Sequence, residues 1–421
     1  MSRSARTDRP RATPRPPSGR DPYGLLPAGT PIAPIVSVVG LVLVAAVSLS
    51  LLWGQLPSFG GGGNGDASGG PAATDDPGVM KTPTPSGLVV VPTEEPGLEM
   101  PGTIVYAKDG NVWLQADGQA KQLTNSGRDS MPSFSEDGSA VYFVRTRAME
   151  GAWSVNGVIR KYKMDVPAIM RIPTTDGPVS KIFDGLVDPA GTLKWMGYIR
   201  NPVVSPDGST IAMTTDLPDP TRSDVTLKLL TLKNGRITDP GLDQRSPLGH
   251  QDAAWRPDGQ RVAYVRNDRD GAKGTPRIYV YTPSTGKSKA VTGPGYLHPA
   301  WSPDGRYLAA TRTSSFGTDV VILDAGTGAE LVRVTADDDS WGPVWSPAGD
   351  QIAYLHVSGQ VVDLRLAVLR GSAPAWTVED TFDLTTNAGL ESVSRPDWWI
   401  PQDQLPSPTP PPAPAVSPSG S

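Results

Sequence analysis

One short pattern recurs along the middle of this chain and restricts its fold more than anything else in it. It reads MPSFSEDGSAVYFVR from Met131, NPVVSPDGSTIAMTT from Asn201, DAAWRPDGQRVAYVR from Asp252, HPAWSPDGRYLAATR from His298 and GPVWSPAGDQIAYLH from Gly342. Its turn glycines are Gly138, Gly208, Gly259, Gly305 and Gly349. Most of the intervals match the roughly 40–50 residues of a propeller blade. The first is longer, so one blade is expected to carry an insertion.

Each part of the repeat has a physical reason. Pro-Asp-Gly is a tight turn: Pro presets φ, Asp bonds the backbone ahead and Gly accepts a positive φ. The apolar or Trp-bearing stretch before the turn reads as a short buried strand. The run after it (AVYFV, TIAMT, RVAYV, YLAAT, QIAYL) is rich in β-branched and aromatic residues, as a strand packed between blades should be. Further strands are expected at RIYVYT from Arg277 and DVVILD from Asp319. The domain opens with strands that lack the motif (TIVYAKDGNVWLQADGQAKQLT from Thr103) and closes with a motif strand that lacks the rest (SRPDWWIP from Ser394). Joined, they make a sixth blade. The expected fold is all-β, a six-bladed β-propeller closed by both ends of residues 101–402, with no open sheet edge.

The P-x-W-S-P-D-G pattern, the Ile-Ala-Tyr-like strand and the Leu-Thr before the next repeat resemble the TolB-type β-propeller family. The resemblance covers about residues 100–401 and implies six blades. The same repeat occurs in prolyl-oligopeptidase-like enzymes, so it specifies fold rather than activity. TolB carries an N-terminal α/β domain where this chain has an apolar segment and a linker, so TolB's partners are not implied here. The repeat also departs from pattern: Glu136 stands for Pro, Arg256 for Ser and Ala348 for Asp.

Outside the repeats the composition changes. Residues 1–31 are Arg- and Pro-rich and read as a disordered cytoplasmic tail. Residues 32–54 contain the uncharged run Ile35 to Trp53, close to the 20 or so residues that cross a bilayer. The six arginines ahead of it predict an inside N-terminus, by the positive-inside rule. The expectation is a single-pass transmembrane helix in a bacterial cell membrane, with the propeller extracytoplasmic. A cleaved signal peptide is the alternative, although no A-x-A site follows the run. Residues 55–100 are Gly-, Pro- and Thr-rich and read as a flexible tether. Residues 403–421 read as a Pro-rich disordered tail.

Several positions are candidates for binding. Counting seven residues on from each turn glycine gives Arg145, Thr215, Arg266, Arg312 and His356, and the opening strand supplies Lys108. Either these form a cationic collar on one rim that holds carboxylate or phosphate groups, or each pairs with a nearby acid such as Asp129, Asp252 or Asp339. The stretch after Arg145 reads as the longest loop, and it holds Trp153, Arg160, Lys161, Tyr162 and Lys163. It could meet a glycan, an anionic polymer or a protein, or Trp153 could simply pack the insertion onto the propeller. The three histidines (His250, His298, His356) lie in different repeats and give no reason to expect a metal. The acidic run Asp337–Asp339 could hold calcium, but it lacks EF-hand spacing and reads more simply as a solvated loop.

No G-x-S-x-G nucleophile elbow occurs. With no cysteine, a Cys nucleophile, thiolate metal sites and disulfides are all excluded. A net charge of -5 gives no case for nucleic acid. The expectation is therefore a non-enzymatic, cofactor-free module that binds a protein, an envelope polymer or a small ligand. A propeller hydrolase or lactonase, or a sensor acting through a partner, are the alternatives.

Overall fold

In the structure, a computed structural model, each repeat turn joins the two innermost strands of a four-stranded antiparallel sheet. It describes residues 100–405 apart from 117, 176, 189–190, 192, 221, 244–248 and 268–275. The apolar segment, the tether and nearly all of the Pro-rich tail lie outside the described residues. Among those residues the only helix is a 3-10 turn at Gln402–Gln404, and none is long and apolar enough to cross a membrane.

Blades I to V begin with the innermost strands Asp129–Phe134, Arg200–Val204, His250–Trp255, Tyr296–Trp301 and Ser340–Trp345. Blade VI is assembled from both ends: Asp397–Trp399 lies inside Thr103–Lys108, followed by Asn111–Ala116 and Gln119–Gln122. The six blades and the closure by both ends are as the repeat predicts.

The turn chemistry is visible atom by atom. The Ser135, Ser205 and Ser302 Oγ atoms each accept the amide N–H five residues on at 3.0 Å and donate to the turn Asp. That Asp in turn accepts an amide two residues ahead of it. These bonds hold the Asp137 and Asp207 carboxyls below their usual range, the serine hydroxyls contributing most. Where Arg256 replaces the Ser, its Nε instead donates to the Gly305 carbonyl of the next blade at 2.9 Å.

The Leu-Thr of the repeat also has a cause. The Oγ1 atoms of Thr124, Thr292, Thr335 and Thr385 accept the N–H of Val112, Ile278, Val320 and Leu364 at 2.9–3.0 Å. Each amide lies one residue ahead of its blade's pairing between third and fourth strands, beyond the reach of that ladder. A donor buried there and left unmet would be costly. Blade II does the same with a different group, the Nδ1 of His250 accepting the Leu227 N–H at 3.1 Å.

The core is divided into six clusters, one at each junction between neighbouring blades. In blade IV, Tyr307 and Ala309 pack toward blade V while Leu308 and Ala310 pack toward blade III. Alternate side chains therefore meet different neighbours, both faces of the strand are buried, and the sequence reads as a continuous apolar run. The motif tryptophans tie the junctions: Trp255 Nε1 and Trp301 Nε1 donate to Val203 O and Ala254 O of the preceding blade, both at 3.2 Å.

The insertion in blade I is not a loop. Its two middle strands, Ala140–Val155 and Val158–Pro173, continue past the sheet as one long antiparallel hairpin. Asn156 and Gly157 turn it with φ of 52° and 77°, the two-residue hairpin turn that an Asn-Gly pair favours. This corrects the loop expected from sequence.

Candidate functional site

The turns of neighbouring blades touch one another around the ring: Gly259 lies near Pro206, Gly349 near Pro303 and Gly305 near Arg256. They therefore share one face, here the turn face. The opposite ends of the strands make the rim face. The strand Thr103–Lys108 starts on the turn face and runs to the rim face, so the chain joins the propeller from the turn side. The blade I hairpin projects from the rim side.

All five collar candidates lie at the rim, where the second strand of each blade ends. The structure gives each a partner, in its own blade or in the segment that leads into it. Arg145 forks onto buried Asp129, Nε–Oδ1 at 2.6 Å and Nη2–Oδ2 at 2.8 Å. Arg266 meets Asp243 at 2.7 Å and stacks on Tyr279 at 4.2 Å. Arg312 lies 3.2 Å from Glu330 and 3.6 Å from buried Asp319. His356 Nδ1 is 3.0 Å from Ser340 Oγ and 3.3 Å from Asp337. Burial, assisted by Arg365, lowers its pKa. Lys108 lies over the Trp113 ring. Blade II has Thr215 at this position and brings a cation from the next strand instead. Buried Lys228 donates to Leu217 O and Ser223 Oγ and sits 3.4 Å from Asp239. The rim is thus a ring of pairs rather than of free cations. Of the acids expected as partners, Asp129 serves, whereas Asp243 and Asp337 take the places foreseen for Asp252 and Asp339.

The hairpin is braced three to four residues short of its turn and open beyond that point. Ala152 and Lys194 exchange backbone hydrogen bonds of 2.8 and 2.9 Å. Trp153 meets Trp195 edge to face at 5.0 Å. Gly151 leaves room for the Tyr162 ring, and the Tyr162 hydroxyl donates to Lys194 O at 3.3 Å. Lys161 pairs with Glu150 at the exposed surface. Beyond the brace, Val158 is 60% and Ile159 54% exposed.

A third group was not foreseen. Each innermost strand of blades I to V carries a bulge before its turn, with positive φ at Met131, Asn201, Asp252, His298 and Gly342. Such bulges re-aim a side chain, here toward the channel. Asn201 Nδ2 donates to Asp252 Oδ1 at 3.1 Å, and His298 Nε2 lies 3.7 Å from Asp252 Oδ2. Thr311 Oγ1 accepts the Gly342 N–H and lies 3.0 Å from His298 Nδ1. Burial lowers the His298 pKa, with Arg395 adding to this and Asp252 opposing it. The Asp-His-Thr line resembles a relay in outline, but Thr311 is fully buried. It orients the imidazole rather than presenting a nucleophile. In blade VI the matching position is Arg395, whose guanidinium crosses the channel to Pro299 O at 3.0 Å and Ala253 O at 3.1 Å. The sequence signal for this group was the column just before the Pro (Ala253 in blade III), which carries Met131, Asn201, Asp252, His298, Gly342 and Arg395. Of the other two histidines, buried His250 accepts a backbone amide and His356 belongs to the rim pairs. Among the described residues no three His, Asp or Glu side chains gather as a metal site would need.

No known protein family and no curated protein matches this sequence. Solved structures do. TolB from Acinetobacter baumannii is similar at 21% identity with a TM-score of 0.50, over 70% of this chain and 66% of that one. The chain therefore spans just under two thirds of that protein. A putative TolB from Agrobacterium tumefaciens is similar at 17% identity, also with a TM-score of 0.50, over 72% of this chain and 95% of that one. An oligogalacturonate lyase in complex with manganese is similar at 15% identity and a TM-score of 0.42, over 69% and 99%; a likeness of that size carries no chemistry across. At these identities the likeness establishes architecture alone, and residues 100–405 have the fold of a TolB-like six-bladed β-propeller.

Proposed function

We propose that this propeller is a non-enzymatic binding module, held on the extracytoplasmic side of a bacterial membrane by the segment 35–53, and that its rim face carries the contact with a macromolecular surface. One observation carries the reading. The large apolar side chains exposed among the described residues are Trp153, Val155, Val158, Ile159, Tyr162, Phe316 and Val393. Every one lies on the hairpin or on a rim-side loop, and none on the turn face. Exposed apolar residues gathered on one side of a soluble domain mark an interaction surface. Two further features agree. The collar cations already have partners, which leaves little for a polyanion to gain over the channel. Arg395 bridges the channel, which leaves little depth for a small ligand.

A photocrosslinking side chain placed at Phe316 in the full chain, in intact cells, tests this. Adducts at position 316 and none at the turn-face position Asp207 are expected. Adducts from Asp207 alone, or equally from both, would place the contact elsewhere.

A further inference from the structure

The hairpin tip has an order along its axis that the rest of the rim lacks. At the apex, beside the Asn156-Gly157 turn, Val155 pairs with Val158, and Ile159 follows. Two residues below the apex, about 7 Å at a strand's rise, Trp153 pairs with Arg160. Two residues further, about 13 Å down, Tyr162 pairs with Gly151, and below it Lys163 with Glu150. The layers read aliphatic, then aromatic mixed with charged residues, where Arg160, Lys161 and Lys163 outnumber Glu150.

We propose that this tip inserts into the headgroup region of an anionic lipid surface. The inference rests on the reading that the rim face carries the contact, and it names what the hairpin meets there. Interfacial segments bury their apolar part about 5–10 Å into the boundary, which is the distance from the apex to the Trp153 layer. Trp and Tyr favour that boundary, and Arg and Lys extend their heads toward anionic headgroups from just above it. A groove on a protein imposes no such ordering by depth. A second copy of the hairpin would bring a second set of Arg160, Lys161 and Lys163 to the same contact. A soluble polyanion would leave the aliphatic apex in water. The brace at Ala152–Lys194 and Trp153–Trp195 holds the finger in place, so little ordering entropy is lost on contact. The chain joins the propeller from the turn side, yet the stretch 54–100 could reach roughly 150 Å when extended. That exceeds the propeller's width of about 50 Å, so the rim can face the same bilayer that the segment 35–53 is proposed to span.

The closed ring lets residues 100–405 be prepared alone, and the absence of cysteine makes an introduced thiol unique. A Val158→Cys variant carrying an environment-sensitive fluorophore is mixed with phosphatidylcholine vesicles, with or without phosphatidylglycerol. Asp207→Cys on the turn face is the control. The expected result is a blue-shifted, brightened signal at position 158 with phosphatidylglycerol, quenched by spin labels placed shallow in the bilayer, and no change at position 207. Arg160→Glu and Lys163→Glu should weaken binding by more than five-fold each, since one cation near such a surface contributes about five-fold. Raised salt should weaken it further. No response at position 158 at low salt, or an equal response without phosphatidylglycerol, overturns the proposal. If the Phe316 crosslinker meanwhile captures a protein, the rim-face reading stands and the lipid inference alone falls.

Discussion

The indole of Trp399, on the closing strand, covers the α-carbon of Gly138 in the first turn of blade I, and a Cβ there would overlap ring atoms Cε2 and Cδ2. Gly138 also has a φ of +65°. Gly208 occupies the same turn position one blade on, with a φ of +68° and nothing within 4 Å of an added Cβ. Both Gly→Ala variants bear the cost of a left-handed backbone, about 1–2 kcal/mol. Gly138→Ala should lose a further 1–3 kcal/mol or so from overpacking. Urea unfolding of residues 100–405 measures the difference, and equal losses would show that Trp399 yields freely.

Arg395 acts as a strut across the channel. Truncation leaves the Ala253 and Pro299 carbonyls without their charged donor. Arg395→Ala should cost roughly 2–4 kcal/mol, with Arg395→Lys recovering part of it. Hydrogen exchange should show blade VI opening first, because its innermost strand is only Asp397–Trp399.

The Leu-Thr threonines can be tested without changing volume much. Thr335→Val leaves the buried Val320 N–H unmet and should cost about 1–3 kcal/mol, while Thr335→Ser keeps the acceptor and should cost less. The thermal midpoints of the two variants make the comparison. A valine variant as stable as the serine one would assign the repeat's Thr to packing instead.

Two buried groups give opposite pH dependence. Burial pulls the His250 pKa from 6.5 to about 4. Its unfolded form binds the proton first, so its contribution is complete above pH 6.5 and is lost as pH falls toward 4. Burial pushes the Asp216 carboxyl up to about 6, against the pull of the Tyr198 N–H that it accepts at 2.7 Å. Here the folded form binds the proton first, so stability falls as pH rises from 3.8 to 6. Each swing is on the order of 3 kcal/mol. His298 and His356, whose pKa values are lowered, and Glu136, Glu391 and Asp397, whose pKa values are raised, act in the same window, so each of the two swings is read as a difference from the wild-type profile. Relative to that profile, the Asp216→Asn midpoint should rise with pH and the His250→Gln midpoint should fall. Variants that both run parallel to wild type would contradict these shifts.

The sequence made the architecture legible because the repeat encodes contacts internal to each blade. The Ser-Pro-Asp-Gly bonds, the Leu-Thr acceptor and the doubly buried second strand all recur at fixed offsets. The collar positions were found for the same reason. Their partners were only partly found, because Asp243 and Asp337 sit in connecting segments whose length differs from blade to blade, and Asp319, although in an expected strand, is set opposite Arg312 only by the register of the two strands. The hairpin was mistaken for a loop because Asn156-Gly157 was not weighed as a turn, although it is the residue pair that favours one. The channel group stayed hidden because adjacency there crosses blades: Asn201, Asp252 and His298 meet only once the ring has closed, and Arg395 reaches the far side from the last strand.

The way the chain joins blade VI also determines how the domain would respond to force. The strand Thr103–Lys108 is hydrogen-bonded on both sides, to Asn111–Ala116 and to Asp397–Trp399. A pull on the residues ahead of it acts along the strand, across bonds that run perpendicular to it. Tension from that side would shear the whole ladder at once instead of unzipping it bond by bond. A propeller pulled by the residues ahead of Thr103 would thus resist at the seam where its two ends meet.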